Sequence, residues 1–169
     1  HLVAQLQSRQ MGREYEAVVI GVLTGGGCIR EPIGRHPVQR KKMAVTRTGK
    51  PAVTHYQVIK RFREHTHLRL KLETGRTHQI RVHMAHLRYP IVGDPVYAGR
   101  LRIPKAASAD FIEFLRGFKR QALHARRLEL VHPDSEELMA WERDLPDDMQ
   151  QLLKFLQQDE AQYNQQRAL

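Results

Sequence analysis

The 169-residue sequence has one cysteine, Cys28, so neither a disulfide scaffold nor a cysteine-based zinc knuckle can be built from it. Its longest apolar runs, such as Ala17 to Leu23, fall far short of a membrane span. No charged-then-apolar leader opens it, and the expectation is a cytoplasmic protein with no membrane partner. Walker A, GxGxxG and GxSxG sequences are absent. The glycine run Gly25 to Gly27 precedes a strand pattern and not a helix, which makes it a poor phosphate loop. HExxH is missing too, and although His83 and His86 share a helix face, no nearby acid completes a set with them and His78. No metal and no cofactor is expected.

Acidic residues are scarce over most of the chain. Residues 1–127 carry 25 basic and 8 acidic side chains, and residues 128–169 carry 3 and 10. The net charge is +10, with 20 Arg and 8 Lys. Arginine suits planar, bidentate contact with phosphates and base edges. A basic body with an acidic tail points to a polyanion partner.

The pattern along the chain predicts one domain of the α+β class, a largely antiparallel mixed sheet with flanking helices. A helix over His1 to about Gln10 leads into a strand from Glu14 to Leu23. Gly25 to Gly27 is expected to turn through positive φ and return Cys28 to Ile33 as the second arm of a hairpin. Met43 to Thr48, Ala52 to Phe62 and His67 to Leu72 read as further strands, the last with Leu68, Leu70 and Leu72 on one face. His78 to His86 has helical spacing, and Ser108 can cap a helix over Asp110 to Leu115. Gln121 to Val131 and Glu137 to Trp141 pair around His132-Pro133-Asp134. An acidic helix runs from Pro146 to about 158–160, with a frayed tail over 161–169.

Two segments concentrate the chemistry. In Glu73-Thr-Gly-Arg-Thr-His-Gln-Ile-Arg-Val-His83 a strand ends, a glycine turns, and Arg76 and His78 lie near a helix start. A phosphate or carboxylate would be stabilised there, and Arg81 is placed one turn on to pair with a carboxylate. The loop Gly34 to Lys42 offers Arg35, His36, Arg40, Lys41 and Lys42 to a phosphate backbone. Tyr15, at the head of a strand, serves either as a packing residue or as a flat surface for a base.

Three stretches occur together: Arg13-Glu-Tyr15-Glu-Ala17-Val, Leu72-Glu-Thr-Gly75-Arg-Thr-His-Gln-Ile-Arg81-Val-His, and Gln121-Ala-Leu-His124-Ala with His132-Pro133. Val92-Gly93-Asp94-Pro95-Val-Tyr97 lies between the last two. In these the chain resembles the RluA-type RNA pseudouridine synthases, most closely the D-type group acting on large-subunit ribosomal RNA. The resemblance implies isomerisation of uridine without metal or organic cofactor. A catalytic Asp attacks a flipped nucleotide, and the base is released, rotates and rejoins through carbon. It implies that Tyr15 stacks on the target base and helps to remove the carbon-bound proton. It implies that Arg81 pairs with the catalytic Asp, and that Leu123, His124 and Ala125 are structural.

The family nucleophile stands in an Arg-Leu-Asp motif upstream of the tyrosine, and no such motif occurs here. Asp94, Asp110 and Asp134 stand in other contexts. The expectation is therefore the C-terminal portion of one catalytic domain, inactive alone and monomeric when complete, whose substrate is large-subunit ribosomal RNA or its precursor particle. Arg81, without its carboxylate, should leave an exposed positive cleft, and the sheet should show open edges and apolar surface. The alternatives are a non-catalytic RNA-binding module on the same scaffold and, through the histidines alone, a metal-dependent nuclease.

Overall fold

A computed structural model describes residues 1–7 and 11–169. Among the described residues, the strands are β1 (Gly12–Ile20), β2 (Gly27–Arg30), β3 (Ile33–Arg35), β4 (Met43–Val45), β5 (Val53–Arg61), β6 (His65–Leu72), β7 (Leu123–Val131) and β8 (Leu138–Glu142). The helices are α1 (Leu2–Gln7), α2 (Gln79–His86), α3 (Ala109–Gly117) and α4 (Asp147–Arg167). The end expected for the first helix, at Gln10, lies outside the described residues.

Six strands form one sheet in the order β2-β5-β6-β1-β7-β8, and β3 pairs with β4 apart from it. Every described pairing is antiparallel. β1 is central, between β6 and β7, so Ala17, Val18 and Val19 are buried whichever way they point. In β6 the alternation holds: Leu68 and Leu70 are fully buried while Arg69 and Lys71 are exposed. The main core joins these strands to Phe111 and Leu115 of α3 and to Met149, Leu152 and Leu156 of α4.

The β1–β2 hairpin does not form. β2 pairs with β5 instead, and positive φ occurs at Gly21, Gly93 and Gly99 but not at Gly25 to Gly27. The glycines answer a different need. A Cβ on Gly26 would sit 2.7 Å from the Tyr56 carbonyl oxygen, and one on Gly27 would sit 2.7 Å from the Tyr56 hydroxyl. Close approach to β5 accounts for Gly26 and Gly27, while a Cβ on Gly25 would meet nothing within 4 Å.

Ser108 caps α3 as expected, its Oγ accepting from Phe111 N at 3.2 Å. The last helix continues to Arg167, beyond the expected stop near 158–160. Its extension is tied down from the side. Arg63 forms a bidentate pair with buried Asp159 at 2.9 and 3.0 Å, and its guanidinium lies 4.0 Å from the centre of the Tyr163 ring. The sheet ends on β2 and β8, and β8 leaves Leu138 and Trp141 exposed, with Leu2 and Val3 of α1 also exposed. No helix of the described residues is long and apolar enough to cross a membrane.

Candidate RNA-modifying cleft

β1, β6 and α2 converge on a cleft of about 230 Å³ lined by Tyr15, Arg76, His78 and Arg81, with Arg13, Gly75 and the apolar Leu72, Ile80 and Leu123. Four of the residues singled out in the sequence are thus brought together from positions up to 66 apart. Tyr15 is half-buried and sits at a register shift. Glu14 faces Arg127 of β7 but Tyr15 faces Ala125, so Arg126 bulges out between them. Bulges re-aim neighbouring side chains. Arg126 turns to Glu16, Nε to Oε2 at 3.1 Å, and Glu16 also bonds His67 Nε2 at 2.8 Å.

Gln79 ties the segment between β6 and α2 to β5. Gln79 is buried, and its amide donates to Val53 O at 3.0 Å and to Thr54 Oγ1 at 2.9 Å. Its carbonyl accepts from Thr74 Oγ1 at 2.8 Å and Arg76 N at 3.0 Å. Thr54 Oγ1 donates to His83 Nδ1 at 2.7 Å, and His83 Nε2 donates to Glu31 O at 2.9 Å. His83 thus ties α2 to β5 through Nδ1 and to the link between β2 and β3 through Nε2. Burial pulls its pKa down and keeps it neutral. Gln79→Ala strips partners from several buried groups and should cost about 2 kcal/mol, read from urea unfolding. A loss of under about 0.5 kcal/mol would show that the segment does not depend on Gln79.

The helix starts at Gln79, one residue later than expected, and His78 is left-handed at φ 57. That conformation is uncommon for a non-glycine residue. Tyr97 holds it. The Tyr97 hydroxyl accepts from Met43 N at 3.1 Å and shares a hydrogen bond with His78 Nδ1 at 2.8 Å. The two rings meet edge to face at 5.6 Å. Burial, and next the charge of Arg81, lower the pKa of His78. Arg76 spans to Pro51 O through Nε at 2.8 Å.

Arg81 corrects the expectation of an exposed, unpaired cation. It is 9% exposed and pairs with Asp94, Nε to Oδ2 at 2.8 Å and Nη2 to Oδ1 at 2.9 Å. Asp94 Oδ1 also accepts from Val96 N at 2.9 Å and Tyr97 N at 3.1 Å. Burial pushes the Asp94 carboxyl up, but the Arg81 and backbone hydrogen bonds outweigh it and hold it below its ordinary value. The fork uses two guanidinium nitrogens. Nη1 has no hydrogen-bonding partner among the described residues, and Arg81 lines the cleft. The residue is thus preoriented by one carboxylate and can still donate to a second.

The basic loop lies beside the cleft and is tied to it through Tyr97. Lys42 Nζ is 5.7 Å from the Tyr97 ring centre, and Met43 N bonds its hydroxyl. Gly34 and Arg35, expected in the loop, end strand β3; Arg35 Nη1 donates across the loop to Arg40 O at 3.1 Å, and His36 Nδ1 accepts from Val38 N at 3.2 Å and Gln39 N at 3.0 Å. His36 therefore shapes the loop through Nδ1, and Arg35, Arg40 and Lys41 are exposed.

Arg13, Asp94 and Tyr97 stand in the stretches that carry the resemblance, but sequence reasoning assigns none of the three a role in this site. Asp94 and Tyr97 act across the gap between a helix and a loop, which no local pattern reveals. Arg13 lines the cleft with its Nε buried and without a partner among the described residues. A Cβ on Gly75 would overlap Arg13 Nη1, so glycine at 75 makes room for the guanidinium.

A family model described as RNA pseudouridylate synthase matches residues 1–86, just over half of the chain. The chain belongs to the RNA pseudouridylate synthase family. Other members resemble it over most of its length. It is 64% identical over 158 residues to "Ribosomal large subunit pseudouridine synthase D" of Pseudomonas aeruginosa, covering 94% of this chain and 49% of that protein. The protein of the same name from Escherichia coli (strain K12) is 59% identical, with 94% and 48% covered. The chain thus spans about half the length of these curated relatives. Among solved structures, human RNA pseudouridylate synthase domain containing 4 superposes with a TM-score of 0.70 at 26% identity, covering 92% of this chain and 66% of that one. Human RNA pseudouridylate synthase domain containing 1 gives 0.67 at 22% identity and supports the fold alone.

Proposed function

We propose that the chain is the C-terminal portion of the catalytic domain of a cytoplasmic ribosomal RNA pseudouridine synthase, monomeric when complete, that isomerises uridines of the large subunit. The observation that carries this reading is the meeting of Tyr15 and Arg81 in one cation-lined cleft, with Arg81 preoriented by Asp94 and Nη1 to spare. Asp94 itself is spent, since its oxygens take the guanidinium and two backbone amides. The attacking Asp is therefore supplied by polypeptide outside these 169 residues. In this reading Arg81 Nη1 orients that carboxylate against the ribose carbon of a flipped uridine. The carboxylate bonds that carbon as its bond to N1 breaks, the base turns over against the Tyr15 ring, and carbon 5 displaces the carboxylate as it bonds the ribose. Tyr15 then helps to take the proton from carbon 5, and N1 of the base is left protonated, so no atom is gained or lost. Arg76, His78 and the loop cations Arg35, Arg40, Lys41 and Lys42 track the phosphates, with His36 holding the loop in shape.

The test is tritium release from ribosomal RNA labelled at uridine carbon 5. This chain alone should release none, and the protein that carries the Arg-Leu-Asp segment should. In that protein Tyr15→Phe should lower release about a hundredfold while leaving RNA affinity within about twofold. Wild-type release by Tyr15→Phe would remove the tyrosine from the chemistry. No release even with the Arg-Leu-Asp segment present would leave a non-catalytic RNA-binding module as the better reading.

A further inference from the structure

The loop that carries Asp94 also walls a second cavity, of about 260 Å³. Its apolar lining includes Ile20, Val92, Leu115 and Phe118. Its cations are Arg100, Arg102, Arg116 and Lys119, all exposed. The one acid in the lining is Asp94, which is already saturated by Arg81 and two backbone amides. The cavity therefore combines an apolar floor with an unopposed cationic rim. That is the surface a nucleotide needs, a face for the base and charges for its phosphates.

One wall residue is anomalous. His65, on β6, is 2% exposed and lines the cavity, yet neither ring nitrogen has a hydrogen-bonding partner among the described residues. Buried polar groups without partners are rare and costly. Its surroundings do not supply the missing bonds: nearby Asp159 is paired with Arg63, which also donates to Lys105 O. Burial keeps the ring neutral at pH 7, so it offers one donor and one acceptor, the same complement that a nucleobase edge presents.

We infer that this cavity binds a nucleotide of the RNA other than the target uridine, with its base on the apolar floor beside His65 and its phosphates on Arg100, Arg102, Arg116 and Lys119. The inference rests on the reading of the chain as an RNA-binding half of a pseudouridine synthase. It adds a second point of grip. Because Asp94 forms part of the wall and grips Arg81, a nucleotide seated here bears on the loop that orients the cleft.

The experiment is a titration of the ring-¹⁵N-histidine-labelled chain with single-stranded pentauridylate at low salt, followed by NMR. His65 and His78 should both move saturably, reporting the cavity and the cleft. Ala98→Trp places a large side chain in the cavity wall and should abolish the His65 response while sparing that of His78. Arg100→Ala with Arg102→Ala alters only exposed side chains. It should weaken binding about tenfold and reduce the slope of log affinity against log salt by about 1.4, two phosphate contacts on a single strand. Movement of His78 with a still His65, or an unchanged salt slope in the double variant, would overturn the second site and leave the cleft reading standing. If neither histidine moves, the RNA reading falls and the second site with it.

Discussion

Arg81→Ala should destabilise the chain by about 3–5 kcal/mol, the cost of leaving a buried carboxylate without its counter-ion. The Asp94 side chain has no exposed surface and that of Arg81 is 11% exposed, so solvent screens the pair little. Removal of the arginine leaves Asp94 with only the Val96 and Tyr97 amides. Urea unfolding at pH 7 measures the loss. Arg81→Lys keeps a charge but not the fork, and should recover less than half of it. Arg81→Ala combined with Asp94→Ala should cost less than the two single changes summed, because the stranded charge is gone. A loss below about 1 kcal/mol for Arg81→Ala would mean that the pair is solvated and does not preorient the arginine. The pair also carries an acid signature. Since the folded Asp94 titrates below its ordinary 3.8, its contribution is complete above that value and disappears as pH falls further.

This ion pair separates what the sequence discloses from what it conceals. Period-two alternation makes β6 legible, since Leu68 and Leu70 must share the buried face of a strand. Ser108 and Pro146 mark two helix starts by local chemistry. The composition of residues 73–83 marks the site, because arginine and histidine at a strand-to-helix junction need a reason. Pairing across the fold is another matter. Gly25 to Gly27 looks like a hairpin turn until Tyr56 of β5 is seen to lie against it. Asp94 looks like an ordinary loop aspartate until α2 brings Arg81 within 2.8 Å. The length of α4 depends on Arg63, nearly a hundred residues away in the chain, which grips Asp159 and Tyr163. Each of these errors arises where a nonlocal contact decides what a local pattern leaves open.

His65 is the extreme case, because nothing in its sequence neighbourhood sets it apart from His55 or His67. Its burial implies a second large effect. Its pKa falls from an ordinary 6.5 to about 4, chiefly through desolvation, with Asp159 opposing the fall and Arg63 adding to it. The unfolded chain therefore takes up a proton at this residue that the folded chain refuses. Stability is at its full value above about 6.5, declines as pH drops, and has lost about 3 kcal/mol from this residue by pH 4. The check is urea unfolding at steps from pH 7.5 to 4 for the wild type and for His65→Phe and His65→Leu. Both variants should flatten the decline by about 3 kcal/mol, and at pH 7 they should be at least as stable, having exchanged an unpartnered ring for an apolar one. His67 also has a lowered pKa, from burial against the opposing charge of Glu16, and its share remains in all three proteins, so the difference isolates His65. Parallel pH curves for wild type and variants would show that the ring reaches water in solution. A variant more stable than the wild type at pH 7 would mean that the chain tolerates a histidine here at the expense of its own stability, as a residue kept for a ligand would be.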